Sequence, residues 1–249
     1  MSVFFEIHKD NPREGPGDNA STDKAFYLLK DLPPRPYILD IGCGPGMQTV
    51  ELARISHGDV VAIDNYQPFL DALKRQAEEA GLAKSIQTYN QSMFALDLVE
   101  HSFDLIWSEG AIYIIGFAQG LLEWREYLKP GGYLAVTEIN WLKPDPPEIL
   151  KKFWAVNYPA ITTIEENSRI IQYSNYMEIG NFVLPESAWW DNYYNPVLKR
   201  VSMLRSKYAG HSEILQELDA QQTEIAMYRK YHDYYGYVFY IMKDASVQK

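Results

Sequence analysis

The sequence predicts an α/β fold, a doubly wound and mostly parallel sheet with helices on both faces. Three observations predict it. Between Tyr37 and Glu138, short apolar runs alternate with helical stretches, the order that calls for parallel strands joined by right-handed crossovers. The first run, Tyr37 to Ile41, breaks into a turn with glycines at 42, 44 and 46 ahead of a helical stretch from Met47 to Ser56. The 249 residues, 47% hydrophobic and 22% charged, suffice for one substantial core.

Residues 9 to 20 are rich in turn formers and charges and precede a helix expected from a Ser21 or Thr22 cap to about Leu32, ended by Pro33-Pro34. The second strand is Asp59 to Ile63, ending in Asp64-Asn65. Pro68 opens a helix with Leu70, Leu73 and Ala77 on one face, closed by Gly81. Ser85 to Tyr89 reads as the third strand and Phe103 to Trp107 as the fourth, followed by the loop Ser108-Glu109-Gly110-Ala111-Ile112-Tyr113. Phe117, Leu121, Trp124 and Leu128 form a buried helical stripe. The phrase Leu128-Lys129-Pro130-Gly131-Gly132 leads into a fifth strand, Tyr133 to Glu138.

Beyond Glu138 aromatics crowd the chain. Ile164 to Ile179 reads as a helix closed by Gly180. Asn181 to Trp189 reads as a strand that Pro185 confines to an edge or a bulge, residues 194–206 and 212–234 as helices, and Tyr237 to Met242 as a last strand.

The glycine turn is not a dinucleotide fingerprint. Its third glycine follows the second after two residues rather than three, and Asp40 at the strand end would repel phosphate. An uncharged or cationic part of a ligand suits it better. Asp64, about 20 residues further on, stands where a strand-end acid accepts hydrogen bonds from ribose hydroxyls.

Asp40-Ile41-Gly42-Cys43-Gly44-Pro45-Gly46 resembles the first motif of the class I S-adenosylmethionine-dependent methyltransferases, and later matches follow in that family's order. The resemblance implies S-adenosylmethionine as cofactor and S-adenosylhomocysteine as product. It implies a cofactor-binding set of Asp40, Gly42, Cys43, Gly44, Gly46, Asp64, Asn65, Ser92, Met93 and Glu109. The loop would wrap the methionine moiety, with Asp40 acting on its ammonium directly or through water. Ser92 stands where relatives carry an adenine-binding aspartate, with Met93 beside it, a departure from the pattern. Glu109 is a candidate for cofactor or substrate contact.

The resemblance also implies a closing antiparallel pair, near 181–188 and 237–242, which makes a seven-stranded sheet with an antiparallel last strand. The helical insertion of about 45 residues between them is longer than most loops and would serve as a lid. One domain over 1–249 follows, with an N-terminal cap (1–36), a cofactor-binding core (37–138) and lid elements with closing strands (139–249). Tyr113, Trp141, Trp189 and Tyr193 are the expected substrate-facing residues, although the same aromatics would serve a homodimer interface equally well.

The implied activity is in-line methyl transfer to a small-molecule acceptor. A non-catalytic module binding S-adenosylmethionine or S-adenosylhomocysteine stays open, and a nicotinamide-dependent oxidoreductase fits the glycine spacing less well. No catalytic dyad stands out, and His8, His57, His101, His211 and His232 fall mostly in polar stretches. A net charge of -10 argues against nucleic-acid partners. No run approaches the ~18 apolar residues of a membrane span, and the N-terminus lacks a leader pattern, so a cytoplasmic location is expected. The only cysteine, Cys43, supports neither a disulfide nor a metal cluster.

Overall fold

The computed structural model describes residues 3–246. Two short helices lead, α1 (Val3–Ile7) and α2 (Asn19–Phe26). The wound core follows as β1 (Tyr37–Ile41), α3 (Met47–Ser56), β2 (Asp59–Asp64), α4 (Gln67–Glu79), β3 (Ile86–Asn90) and β4 (Phe103–Ser108). Next come α5 (Ile112–Ile115), α6 (Phe117–Trp124), β5 (Leu128–Trp141), α7 (Glu148–Asn157), β6 (Thr162–Thr163), α8 (Ile164–Tyr173) and β7 (Tyr176–Val183). Helix α9 (Glu186–Trp189), a π-helical turn at Trp190–Tyr194, α10 (Asn195–Lys207) and α11 (Ser212–Tyr231) lead into β8 (Tyr235–Asp244).

One sheet runs β3-β2-β1-β4-β5-β8-β7, and the two-residue β6 pairs with the end of β5 as an eighth strand. Strands β1 to β5 pair in parallel, while β8 lies antiparallel to both β5 and β7. The predicted doubly wound sheet with an antiparallel last strand is therefore the observed one. Apolar residues fill both faces. Leu52, Leu70 and Leu73 of α3 and α4 cover one face, and Leu121, Trp124 and Ile171 of α6 and α8 cover the other.

Several boundaries differ from the sequence reading, each for a local reason. Helix α2 starts earlier because Asp18, not Ser21 or Thr22, is its cap and accepts the Ser21 N–H at 2.7 Å. Helix α8 stops at Tyr173 because Asn175 takes a left-handed φ of 58°, and the chain then extends as β7, so Tyr176 to Ile179 is strand, and Pro185 lies beyond it. The helical stripe expected through Leu128 is broken sooner, since Leu128 already pairs with Phe103 as strand.

The β5–β8 pair positions the site. Strand β4 ends at Ser108 opposite Val136, but β5 runs on to Trp141, paired with β8 throughout. On this protruding ribbon sits a third apolar core, built from Ile139 and Tyr235 with residues of α1, α7, α9, α10 and α11. Helices α10 and α11 in turn hold α1: Lys207 and Tyr208 both bond Glu6 at 3.0 Å, and Arg200 bonds the Lys9 carbonyl at 2.8 Å.

Candidate active site

A cavity of about 250 Å³ opens at the carboxyl ends of β1, β2 and β4. Its walls are the glycine loop, the Asp64–Tyr66 turn, the loop through Ser92 and Met93, the Glu109–Ile114 loop, and two pieces of the N-terminal segment, Phe4-Phe5 and Arg13 to Pro16. Ligands bind at this edge of an open α/β sheet because the loops there diverge.

The glycine loop is pinned to β2 by the N–H groups of Gly42 and Cys43, which donate to the Ile63 carbonyl at 2.8 and 3.0 Å. Gly42 has φ 72°, and a Cβ there would meet the Ala111 Cβ at 2.5 Å, so only glycine lets the loop after β4 approach. Gly42, Cys43 and Gly44 line the cavity. Gly46 does not: at φ 94° it gives way to the Leu73 side chain, which packs α4 against the start of α3.

Asp40 is also off the cavity wall. It is completely buried behind the loop, where its Oδ2 accepts from Thr49 Oγ1 at 2.6 Å and Gln48 Nε2 at 3.3 Å. Burial pushes its carboxyl up to about 7, only partly offset by the Thr49 bond. Its Oδ1 is buried and has no partner among the described residues. Asp40 acts on the cavity through Gln48, which lines it and also donates to the Cys43 carbonyl at 2.8 Å.

Asp64, with Asn65, does face the cavity. Its Oδ2 accepts the Gly44 N–H at 3.0 Å and its Oδ1 the Tyr66 N–H at 2.9 Å. Each carboxylate oxygen keeps acceptor capacity, so the acid both shapes the loop and can take hydroxyl donors. Desolvation raises its pKa, and the backbone bonds hold it down. Ser92 and Met93 line the next section of wall with Phe94, and the Ser92 hydroxyl already accepts the Phe94 N–H at 3.3 Å. Phe5, on the same cavity's wall, stacks on Tyr66 with ring centroids 3.8 Å apart, an apolar cover suited to a flat ring.

Glu109 lies on the wall, but its carboxylate is engaged by the protein. Arg13 Nη1 donates to Oε2 at 2.6 Å, while Thr22 Oγ1 at 2.7 Å and Trp107 Nε1 at 2.8 Å share Oε1. Both charged partners are buried, so this ion pair anchors the N-terminal segment to the end of β4.

Of the four expected substrate-facing aromatics, Tyr113 alone lines this cavity. Trp189 is 3% exposed and stacks on Tyr228 at 4.0 Å, and buried Tyr193 packs against Tyr194 at 5.0 Å. Trp141 packs against the same third core. Their apolar rings find more contact inside that core than at a wall, and the insertion backs α1 rather than lining the cavity itself.

Three residues at or near the site, Glu14, His8 and Glu138, are absent from the set expected from the sequence. Glu14 lines the cavity and pairs with His8 Nδ1 at 2.9 Å; His8 is 1% exposed, and its Nε2 lacks a partner among the described residues. This pair comes from a segment that reads as turn and surface. Glu138, 2% exposed on the protruding part of β5, has an unpartnered Oε2 and a carboxyl pushed up by burial to about 8. The rule that singled out Asp40 and Asp64, an acid ending an apolar strand, would have found it.

Residues 38–132 match the family model described as a methyltransferase domain. Across its whole length the chain resembles a SAM-dependent methyltransferase from Geobacter sulfurreducens, solved in complex with S-adenosyl-L-homocysteine. That structure has a TM-score of 0.83 and 20% identity, with 97% of each chain covered. Residues 38–132 are thus similar to a methyltransferase domain, and the chain as a whole has the class I methyltransferase fold. Among relatives, the chain is 32% identical over 123 residues to dimethylglycine N-methyltransferase of Parasynechococcus marenigrum. That match covers 47% of the chain and 44% of the relative. It is 25% identical over 207 residues to 2-methyl-6-phytyl-1,4-hydroquinone methyltransferase of Synechocystis sp., covering 76% of the chain and 63% of that enzyme. The matched part thus spans less than two thirds of either relative.

Proposed function

We propose that the protein binds S-adenosylmethionine in this cavity and transfers its methyl group to a small-molecule acceptor. The observation that carries the reading is the pairing of Asp64 with Gly44 at the mouth of an otherwise apolar and uncharged loop. A nucleoside without phosphates fits that donor and acceptor set. In this reading Asp64 takes the ribose hydroxyls, Ile63, Met93, Phe5 and Phe69 enclose the adenine, and the glycine loop follows the methionine chain.

When bound, the cofactor supplies an electrophilic methyl on a cationic sulfur, so the protein's main work is to align the acceptor and exclude water, which can lower a barrier by roughly 7–11 kcal/mol, and a base is needed only where the acceptor must lose a proton. Phe4 and Phe5 of α1 provide the cover, held down by the Arg13–Glu109 pair. Tyr113 marks the side on which an acceptor enters. Cytoplasmic residence fits this reading; among the described residues no helix is long and apolar enough to cross a membrane.

Thermal melting with S-adenosylhomocysteine and with NAD tests the proposal. A ligand at a hundred times its dissociation constant adds about 2.7 kcal/mol to stability. The melting temperature should rise with S-adenosylhomocysteine and stay put with NAD. The reverse pattern overturns the reading.

A further inference from the structure

Next to the cofactor cavity lies a group of tyrosines and acids. Tyr113 borders the cavity and meets Tyr158 edge to face at 5.9 Å. Tyr237 lies on β8, a strand flanked on both sides, and is half-buried where its neighbours Tyr235, Gly236, Val238 and Phe239 are buried. The hydroxyls of Tyr113 and Tyr158 and the carboxyls of Glu138 and Glu224 lie within electrostatic reach of the Tyr237 hydroxyl. No lysine or arginine is among the groups that act on Glu138 or Tyr237.

Within this set Glu138 stands apart. Glu224 accepts the Tyr194 hydroxyl at 3.0 Å, whereas Glu138 Oε2 is buried and unpartnered among the described residues. A buried carboxyl oxygen without a donor costs stability, about 1–3 kcal/mol, and calls for a ligand that supplies one. An acid with a tyrosine and no lysine or arginine acting on it favours a cation with apolar substituents. Its position fits the chemistry: β5 carries Glu138 two residues past the last pairing with β4, toward the end of the sheet at which the cavity opens.

We propose that Glu138 binds and deprotonates the acceptor, and that the acceptor is a small amine taken up as its ammonium ion. The inference rests on the cofactor reading above. The Glu138 carboxylate accepts a proton from the ammonium, which frees the nitrogen lone pair. The new N–C bond forms as the methyl–sulfur bond breaks, the electron pair of the broken bond stays on the neutral thioether, and the proton passes to solvent. Tyr158, whose hydroxyl acts on the Glu138 carboxyl, is a positioning residue.

Calorimetric titration of the protein saturated with S-adenosylhomocysteine tests this, with phenethylamine, diethylamine and the uncharged isostere 2-phenylethanol as probes. At least one amine should bind ten times more tightly than the alcohol, and E138Q should lose that preference by tenfold or more while its affinity for S-adenosylhomocysteine is unchanged. Because Glu138 holds its proton near neutral pH, amine binding at pH 7 should release close to one proton, read from the heats in two buffers of different ionisation enthalpy. Equal binding of amine and alcohol, no amine binding, no proton release, or an unaffected E138Q each overturns the proposal. So does an E138Q that weakens S-adenosylmethionine but not S-adenosylhomocysteine, since Glu138 would then serve the sulfonium. If E138Q does not fold, the wild-type proton count decides alone. Failure of S-adenosylhomocysteine itself to bind refutes the cofactor reading instead.

Discussion

Replacing Asp64 should separate two jobs that one carboxylate performs. In the folded protein its oxygens accept the Gly44 and Tyr66 N–H groups at 3.0 and 2.9 Å. Hydrogen bonds to a charged group are worth about 1.5–3 kcal/mol each. Asp64→Ala therefore orphans two backbone donors and should lower the melting temperature, in addition to losing any ligand bonds. Asp64→Asn keeps the shape and one acceptor, so its stability should fall less. Loss of the ribose bonds should weaken S-adenosylhomocysteine by about 1.5–3 kcal/mol, roughly 10- to 150-fold in dissociation constant, in the alanine variant. Titration calorimetry gives the affinity, and a denaturant melt of the same preparation shows whether the variant is folded. If folded Asp64→Ala binds S-adenosylhomocysteine within twofold of the parent, the acid is a loop support only and the ligand pose is wrong.

Trp189→Ala should act on stability rather than on ligand binding, because Trp189 stacks within the third core; a loss of about 3–5 kcal/mol in urea unfolding is expected, and near-parental stability would contradict that placement. Arg13→Ala leaves buried Glu109 without its cation and should cost about 3–5 kcal/mol while exposing the N-terminal segment to limited proteolysis; an unchanged cleavage pattern would show that the pair does not anchor it. Asp40 titrates at about 7 in the folded chain against an ordinary 3.8, so the native state binds its proton more tightly than the unfolded state does. Its contribution to stability is present below pH ~4 and lost as the pH rises through ~7, by at most about 4 kcal/mol. Asp40→Asn preserves the acceptor for Thr49 and should flatten the fall in unfolding free energy between pH 5 and 8; an unaltered slope would assign it to other groups.

Much of this architecture was legible because local chemistry and tertiary demand agree. Tyr37 to Ile41 is apolar and central, the glycines follow at once, and Asp64 ends the neighbouring strand, so periodicity and turn residues alone place them on one edge. Boundaries failed where a single side chain or dihedral decided them, as with the Asp18 cap of α2 and left-handed Asn175 after α8. Site residues stayed hidden when their partners were distant in the chain. Arg13 meets Glu109 across 96 positions, and His8 meets Glu14 inside a segment that reads as solvated turn. The aromatic tract misled for a different reason: composition registers rings but not which way they face. The protruding β5–β8 ribbon needs a core of its own, and Trp189 and Tyr193 supply it.

The central claim is that a nucleoside sulfonium cofactor occupies the cavity between the glycine loop and Asp64. Diffraction from crystals grown with saturating S-adenosylhomocysteine tests it most directly. The account predicts ligand density in that cavity, with the ribose oxygens within about 3.2 Å of the Asp64 carboxylate and the adenine between Met93 and Phe5. An empty cavity at saturating ligand, or density that reaches it without approaching Asp64, would contradict the account.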